Sequence, residues 1–520
     1  MDVQLIIKLM ILGLFFAIMA AIGVYSRRKI ITVGDFVLGG RNIGPWLTAF
    51  TYGTAYFSAV IFIGYAGKFG WKYGLAAAWI GIGNAVIGSM LAWIVLGKRT
   101  RRMTHHLDVS TMPEFFEKRY DSKALKITSS VIMFIFLVPY SASVYTGLGY
   151  LFESTFNMPY IYCMVGMALI TAAYLILGGY IATALSDFIQ GIIMLAGIAL
   201  IIFFILSNPQ VGGLIGGIDK LRTIGEAAAA KGGINNFDIF GGDPINLIGL
   251  IILTSIGSWG LPQMIHKFYT VRDDKAINRG TIIATLFAVV VAGGSYFIGS
   301  FCKLLVSNPA PAALMNADGK TINFDIVMPY VLQNSLPTVL MGIVVIVVLS
   351  ASMSTLSSLV LVSSSTMTLD FIKGLFAHDM NKKNQMLIIR IFCGVFVLAS
   401  LIVALQKGAI VTMMSFSWGA LSGSFLAPFF YGLFSKKVTR SGVWSSFITA
   451  ILITLVGFAL TITKINTLIP VIGIYITPPN VGSVAMLLPL IVMPIVSLFT
   501  PKVNAAYVEN AFESNNVKAK

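Results

Sequence analysis

Cysteine is scarce in this 520-residue chain, with three in all, and histidine is nearly as scarce, with four. Cys163, Cys302 and Cys393 share no paired spacing and lie in or at the ends of apolar runs, so neither a disulfide framework nor a zinc site is indicated. His105 and His106 stand together in the segment 98–123 without a third ligand at a sensible spacing, and read as solvated loop residues. Charge is scarce too: 11% of residues are charged and 57% hydrophobic, too little polar surface to enclose one water-soluble core of this size. No loop is long enough to fold alone; the longest, 208–242 and 305–326, are rich in Gly, Pro and Asn. A nucleophile elbow, a phosphate-binding loop and a His-rich metal motif are all missing, and no signalling domain is expected after residue 500, which argues against a membrane enzyme or sensor.

Long apolar runs are what the chain has instead. A hydrocarbon core about 30 Å thick needs roughly 20 apolar residues per helical crossing. Runs of that kind fall at 4–25, 45–68, 73–97, 124–152, 159–178, 183–207, 243–266, 278–304, 327–372, 386–406, 410–434, 441–463 and 480–500, thirteen in all. The run 327–372 is too long for one crossing, and Pro337 predicts a short amphipathic stretch ahead of a true span near 339–368. The expected fold class is an all-α polytopic membrane protein of one domain, 1–520.

The formal charge of +16 would raise the question of nucleic acid in a soluble protein, but its distribution answers otherwise. Alternate loops hold Arg27, Arg28, Lys29 and Arg41, then "KRTRR" with Lys118, Arg119, Lys123 and Lys126. Later ones hold Lys267, Arg272, Lys275 and Arg279, then Lys373, Lys382, Lys383 and Arg390, then Lys436, Lys437 and Arg440, and finally Lys502, Lys518 and Lys520. Together these are 26 of the 36 Lys and Arg, so the positive-inside rule predicts an N-terminus outside and a C-terminus in the cytoplasm of a multi-pass cell-membrane protein. The first run precedes its basic cluster "SRRK" and shows no small-residue cleavage site, so it is expected to be a spanning helix and not a signal peptide.

Two runs are interrupted. "TAFTYGTAYFSAVIFIGYAG" (48–67) carries Gly53 among small and hydroxyl residues, and "TSIGSWGLPQ" (254–263) carries Gly257, Gly260 and Pro262. Unwound backbone at membrane depth is tolerated only where it lines a cavity or packs within protein. The breaks fall five spans apart, so one lies inverted relative to the other, as expected of an inverted repeat with a midplane binding site; two ordinary glycine-rich helix contacts are the alternative.

"LSASMSTLSSLVLVSSSTMTLD" (349–370) concentrates hydroxyls in an apolar segment, and Ser350, Ser354, Ser357 and Ser358 share one helical face. Neutral oxygens of that kind hold a dehydrated hard cation without burying a carboxylate. Small hydroxyl residues also let helices pack closely and bond to their own backbone, and both readings stay open here. Asp187, about a turn into an apolar span, carries a cost of about 2.5–3.5 kcal/mol there. It marks an ion path or else reaches back to the cytoplasmic interface.

The stretches "LGGRNIGPW" (38–46), "LFESTFNMPY" (151–160), "LGGYIATALSDFIQG" (177–191), "GLPQMIHKF" (260–268) and "SASMSTLSS" (350–358) resemble the solute:sodium symporter family, which includes bacterial proline and pantothenate carriers. The resemblance implies a leucine-transporter-type 5+5 inverted repeat, with 45–207 and 243–434 as the halves, an extra N-terminal helix at 4–25, two C-terminal helices over 441–500 and a tail at 501–520. It implies a sodium ion held by carbonyls of Thr54, Phe57 and Ala351 and the hydroxyls of Ser354 and Thr355, and a second sodium at Asp187, Ser357 and Ser358. Where proline carriers have an acid in the first broken helix this chain has Tyr56, and where they have aromatics in the second it has Thr254 and Ser258; Tyr140 keeps the proline-type residue. "TAYFSAVIFIG" and the stretch beginning "GLPQMIHKFYTV" look closer to pantothenate-like carriers. Candidate solute contacts are Tyr56, Ser58, Tyr140, Thr254, Ser258 and Trp259, with helix packing the alternative for each. The expected function is sodium-coupled uptake of a small organic solute, an amino acid or a carboxylate, across the lipid bilayer, with no nucleic-acid partner; a proton-driven carrier of the same fold and a channel are the rivals. The sequence leaves the oligomeric state open.

Overall fold

An apolar run in a bilayer meets no water to satisfy its amides, so it closes its own hydrogen bonds and becomes a helix. The polar residues that interrupt the runs supply the starts: Thr111, Ser122, Asp273, Asn381, Thr439 and Thr477 each accept a hydrogen bond from the first turn of the helix they precede. The computed structural model describes all residues except 1–2, 28–31, 234, 236–237, 308–309, 317, 378, 464–467, 470–473 and 514–520. Arg28, Lys29, Lys518 and Lys520, and with the last two the end of the tail, lie outside the described residues. The described chain is helical apart from a two-residue strand pair, Leu468–Ile469 with Ile474–Tyr475, and eleven of its helices are long and apolar enough to cross a membrane.

Two of the longest helical stretches contain a turn at glycine. Tyr160–Ser207 has 48 residues, which at 1.5 Å each would be about twice the bilayer, and the chain leaves helical geometry at Gly179 (φ 51°, ψ −156°). Val60–His106 is parted in the same way at Gly74 (φ 53°, ψ −131°). Both conformations lie at positive φ, where a side chain would be strained. The run 327–372 divides at Leu336 and Pro337 into Phe324–Ser335 and a helix from Thr338 to Thr366, continued through one π turn to Ile372.

The first interruption is displaced from where glycine placed it. Pro45–Tyr56 runs unbroken through Gly53, and the chain unwinds at Phe57 (φ −105°, ψ 97°) before resuming at Val60. Gly53 serves close packing, since a Cβ there would lie 2.4 Å from the Phe287 ring. In the second interruption Pro244–Ile256 passes through a short 3-10 turn, Gly257–Trp259, and restarts at Pro262, as the glycines and proline predict.

The two broken helices lie antiparallel, pinned at both ends. Ile43, just before the first, accepts from Arg272 N and donates to Thr270 O just past the second. At the opposite end Lys72 pairs with Asp243 at 2.8 Å, joining the finish of the first to the start of the second. Helix Thr338–Thr366, which is serine-rich and almost wholly buried, packs against both.

Several basic residues counted for orientation turn out to be structural. Arg119 donates to the carbonyls of Gly432 and Ser435 at 2.9 and 2.6 Å, and Arg99 to Leu433 O at 3.3 Å, so cations close the C-terminal end of helix Ile410–Phe434. Two expectations need correction. Residues 98–106 are helical, not loop: His105 Nε2 sits 3.1 Å from Tyr269 O, because it lies under the end of the second broken helix, and His106 Nε2 is 3.0 Å from Asn510 Oδ1. Lys267 is not a loop charge, since it lies one turn inside the second broken helix and is 2% exposed.

Glycine decides how closely the helices approach. A Cβ on Gly299 would lie 2.1 Å from Ala66 O, and one on Gly70 2.1 Å from Gly299 C, so backbones touch directly in the second half, Ala66–Tyr73, of the first broken helix. Gly394, in helix Lys382–Ala404, has nothing within 4 Å of its Cβ position. Gly299→Ala is therefore expected to destabilise by about 1–3 kcal/mol or more through overpacking, whereas Gly394→Ala is neutral or stabilising by up to ~1 kcal/mol. Melting temperatures of the two purified variants in one detergent check this; equal shifts would refute the close-contact account.

Candidate functional site

The site begins with a shortage of donors. Because Pro45–Tyr56 stops at Tyr56, its last-turn carbonyls lose their partners within the helix. Phe57 N still reaches Gly53 O, but Ala59 N turns away and donates to Ser352 Oγ at 3.3 Å. Thr54 O and Ala55 O face the serine-rich helix instead. Thr355 Oγ1 lies 3.1 Å from Ala55 O, 3.4 Å from Thr54 O and 3.1 Å from its own helix's Ala351 O. One hydroxyl proton thus stands among three carbonyl oxygens, and the hydroxyl oxygen itself is a fourth acceptor.

The neighbouring hydroxyls do not relieve this excess. Ser354 Oγ donates to Thr54 Oγ1 at 2.7 Å, and Thr54 Oγ1 passes its own proton to Phe50 O at 2.7 Å. The cluster lies at the C-terminal end of a half-helix, where the backbone dipole is negative. Such a set of inward-facing oxygens, with too few protons and a negative helix end, suits a small hard cation. Phe57 and Ala351 also line a cavity of about 10 Å³ beside the cluster, together with Ser58, Ile61, Met194 and Val347, which has room for about one water. The first set of residues chosen from the sequence, Thr54, Phe57, Ala351, Ser354 and Thr355, is therefore brought together.

One turn along the serine-rich helix lies the second set. Ser357 Oγ bonds back to Ser354 O at 2.9 Å, and Ser358 Oγ accepts from Lys267 Nζ at 2.9 Å. Asp187 is fully buried and neither carboxylate oxygen has a hydrogen-bond partner; Lys267 is the cation whose field acts on it. The Lys267 ammonium also stands 5.3 Å from the centre of the Tyr180 ring. Asp187 is thus not at the interface reaching for water, and its neighbourhood contains an ammonium that the sequence reading assigned to a loop.

The aromatic residues gather at the midpoint between the breaks. The Tyr56 ring stacks near Trp418 (6.2 Å) and Tyr140 meets Trp418 edge-on at 5.7 Å. The Tyr56 hydroxyl donates to Thr254 O, joining the first break to the second. Ser258 Oγ donates to Gly88 O at 3.0 Å, as Tyr52 does at 2.7 Å. Tyr56, Tyr140, Thr254, Ser258 and Trp418 are each no more than 1% exposed, so this centre is closed from both sides. Ser58 lies with Phe57 on the small cavity, its Oγ accepting from Val60 N at 3.2 Å. Trp259 is not part of the centre: it is partly exposed and its Nε1 is committed to Ile87 O at 2.9 Å, on the outer side of the helix.

Sequence reading missed two residues of this centre. No acceptor meets Trp418 Nε1–H at hydrogen-bond geometry, and Asn84 Nδ2 is likewise without a partner, although Asn84 Oδ1 accepts from Ser255 Oγ at 3.1 Å. Their signals were an indole in mid-span, away from the membrane interface where such rings concentrate, and a lone amide in "IGIGNAVIG".

A model of the sodium:solute symporter family matches residues 36–450. A sodium/proline symporter of Staphylococcus aureus (strain JH9) is 30% identical over 458 residues, 86% of this chain and 85% of that protein. Among solved structures, the substrate-bound outward-open state of a Na+-coupled sialic acid symporter aligns with a TM-score of 0.77 at 17% identity, over 96% of this chain and 98% of that one. Mhp1, a nucleobase-cation-symport-1 family transporter in a closed conformation with bromovinylhydantoin bound, aligns at 0.51 and 13% identity, over 92% and 97%. These two likenesses place the helices in a leucine-transporter-type arrangement. By the family match over most of its length and its 30% identity to a curated relative, the chain belongs to the sodium:solute symporter family and is a multi-pass membrane transporter.

Proposed function

We propose that the protein is a sodium-coupled symporter that imports a small organic solute, an amino acid such as proline or a carboxylate such as pantothenate, by alternating access. One observation carries the reading: at the first break three carbonyl oxygens crowd one hydroxyl at the negative end of a half-helix. In this reading sodium takes the place of the missing donors. It is held by the carbonyls of Thr54, Phe57 and Ala351 and the hydroxyls of Ser354 and Thr355, and clamps the first broken helix to the serine-rich helix. Counting Val60–His106 as two crossings parted at Gly74, and adding the short apolar helix Tyr160–Ala172, gives thirteen crossings, with the N-terminus outside and the C-terminus in the cytoplasm.

The solute site in this reading is the aromatic centre between the breaks. Trp418 Nε1–H and Asn84 Nδ2–H meet no acceptor at full hydrogen-bond geometry, with the Tyr140 and Tyr296 hydroxyls the groups beside them, and donors held so loosely in a dry site suit a carboxylate. Tyr56, Tyr140 and Trp418 supply apolar faces for the rest of the molecule, with Ser58, Thr254 and Ser258 at its edge. Binding also has to separate the Tyr56 hydroxyl from Thr254 O, which loosens one half of the structure from the other. The driving force is sufficient: one sodium crossing 100 mV gains about 2.3 kcal/mol and a tenfold gradient about 1.4, enough for accumulation on the order of a few hundredfold.

In proteoliposomes, Thr355→Ala is expected to raise the sodium concentration for half-maximal uptake by about tenfold or more, with Thr355→Ser close to wild type and abundance unchanged. Unaltered sodium dependence in both Thr355→Ala and Ser354→Ala would overturn the site, and uptake driven by a pH step without sodium would point to proton coupling. For the solute, thermal-shift measurements against amino acids, vitamins, carboxylates and sugars are expected to give stabilisation by a carboxylate-bearing compound only when sodium is present. Asn84→Ala then weakens that binding by about 5- to 150-fold, the equivalent of ~1–3 kcal/mol for a lost buried partner. Stabilisation of Asn84→Ala at wild-type solute concentrations would remove Asn84 from the site.

A further inference from the structure

Lys267 enters neither the sodium cluster nor the solute centre, yet with Arg119 it is one of two buried Lys or Arg side chains among the described residues. It sits on the inner half of the second broken helix, Pro262–Tyr269, 2% exposed, with its ammonium 2.9 Å from Ser358 Oγ and over the Tyr180 ring. Asp187, fully buried and with neither oxygen in a hydrogen bond, lies within the field of that ammonium without forming a direct ion pair with it. Ser354, one turn before Ser358, also acts on Asp187 through its hydroxyl, but that group is neutral and is shared with Thr54 Oγ1. Asp187 therefore has one compensating charge within reach, and the chain supplies it.

We infer that the Lys267 ammonium is a tethered cation that fills the position which Asp187, Ser357 and Ser358 would otherwise offer to a second sodium, so that this carrier binds one sodium per chain. The argument is one of charge. A carboxylate and an ammonium buried together are neutral as a pair, and a sodium added beside them would leave a net positive charge out of water, with no further anion to meet it. The two sites are also one turn apart on the same helix, so a second sodium would face the first across a few ångströms as well as the ammonium. Removing the ammonium reverses the balance: Asp187 becomes an uncompensated buried anion, flanked by hydroxyls, and a mobile monovalent cation is then the species that neutralises it.

This inference rests on the sodium reading above, and the test separates the two. Equilibrium binding of 22Na+ to the purified full chain in nanodiscs, counted per chain by scintillation proximity, is expected to give one ion for wild type and two for Lys267→Met. In the double variant Asp187→Asn/Lys267→Met, which removes the anion along with the ammonium, the count returns to one. Sodium-induced thermal stabilisation gives a second readout, with a Hill coefficient near one for wild type and approaching two for Lys267→Met. Two ions in wild type, or one ion in a folded Lys267→Met protein, overturns the inference and leaves sodium coupling standing. No sodium bound by wild type overturns the coupling itself. Should Lys267→Met alone fail to fold, the wild-type count and the double variant decide the matter: two ions in wild type, or two in the double variant, refute the tethered cation, and one ion in each supports it.

Discussion

The constraint beneath this structure is that a helix ending inside a membrane leaves carbonyl oxygens with nothing to accept from. At an aqueous surface the last turn of Pro45–Tyr56 would be capped by water at little cost. At membrane depth each orphan costs a substantial fraction of a hydrogen bond's intrinsic strength, and the chain must answer it with a side chain, another helix or a ligand. Thr355 answers in part, since its hydroxyl sits between two such oxygens, Thr54 O and Ala55 O, with Ala351 O of its own helix also in reach, and can donate to only one at a time. The buried, closely packed serine-rich helix follows from this need: it has to come near enough to the break for hydroxyls to reach, and it does so on small side chains.

The same helix meets both broken helices. Ser354 holds Thr54 of the first broken helix and Ser358 holds Lys267 of the second, one turn apart. The antiparallel arrangement of the broken helices is fixed at their far ends by the backbone bonds of Ile43 with Thr270 and Arg272 and by the Lys72–Asp243 pair. Between those ends the Tyr56 hydroxyl donates to Thr254 O and the Tyr52 ring meets that of Phe268 at 5.7 Å.

Much of this was legible from residue types alone. Long apolar runs identify crossings because lipid leaves the backbone no alternative, and the split at Pro337 and the break at Gly257–Pro262 follow from residues that cannot continue a helix. The first break was harder to place. Gly53 is a weak helix former, but here its small size accommodates the Phe287 ring, and the chain unwinds three residues later among Tyr56, Phe57 and Ser58, none of which forbids a helix. Tertiary contact decides that position: the serine-rich helix captures Ala59 N and the orphaned carbonyls, which no local preference encodes. Lys267 was misplaced for a related reason. A lysine followed two residues later by a turn and Arg272 reads as part of a basic loop, and only the fold reveals that it points inward to an acid 80 positions earlier in the chain. Trp418 and Asn84 show the same limit, being ordinary in a span until the breaks bring them to the middle.

The placement of ion and solute on neighbouring residues of one unwound end has a mechanical consequence. Thr54 and Phe57 are the proposed carbonyl ligands of this helix end, and Tyr56, between them, directs its ring at Trp418 and its hydroxyl at Thr254. A cation that fixes the carbonyls of 54 and 57 would therefore also restrict the side-chain direction of 56, because residue 56 lies between the peptide planes so held. Solute binding to the ring would restrict the same residue from the other side. Each ligand then lowers the ordering cost of the other by an equal free energy, whichever arrives first, as linkage requires. Coupling between ion and solute in this proposed arrangement would need no long-range relay; residues Thr54 to Phe57, at a helix end that the membrane leaves unsatisfied, would carry it.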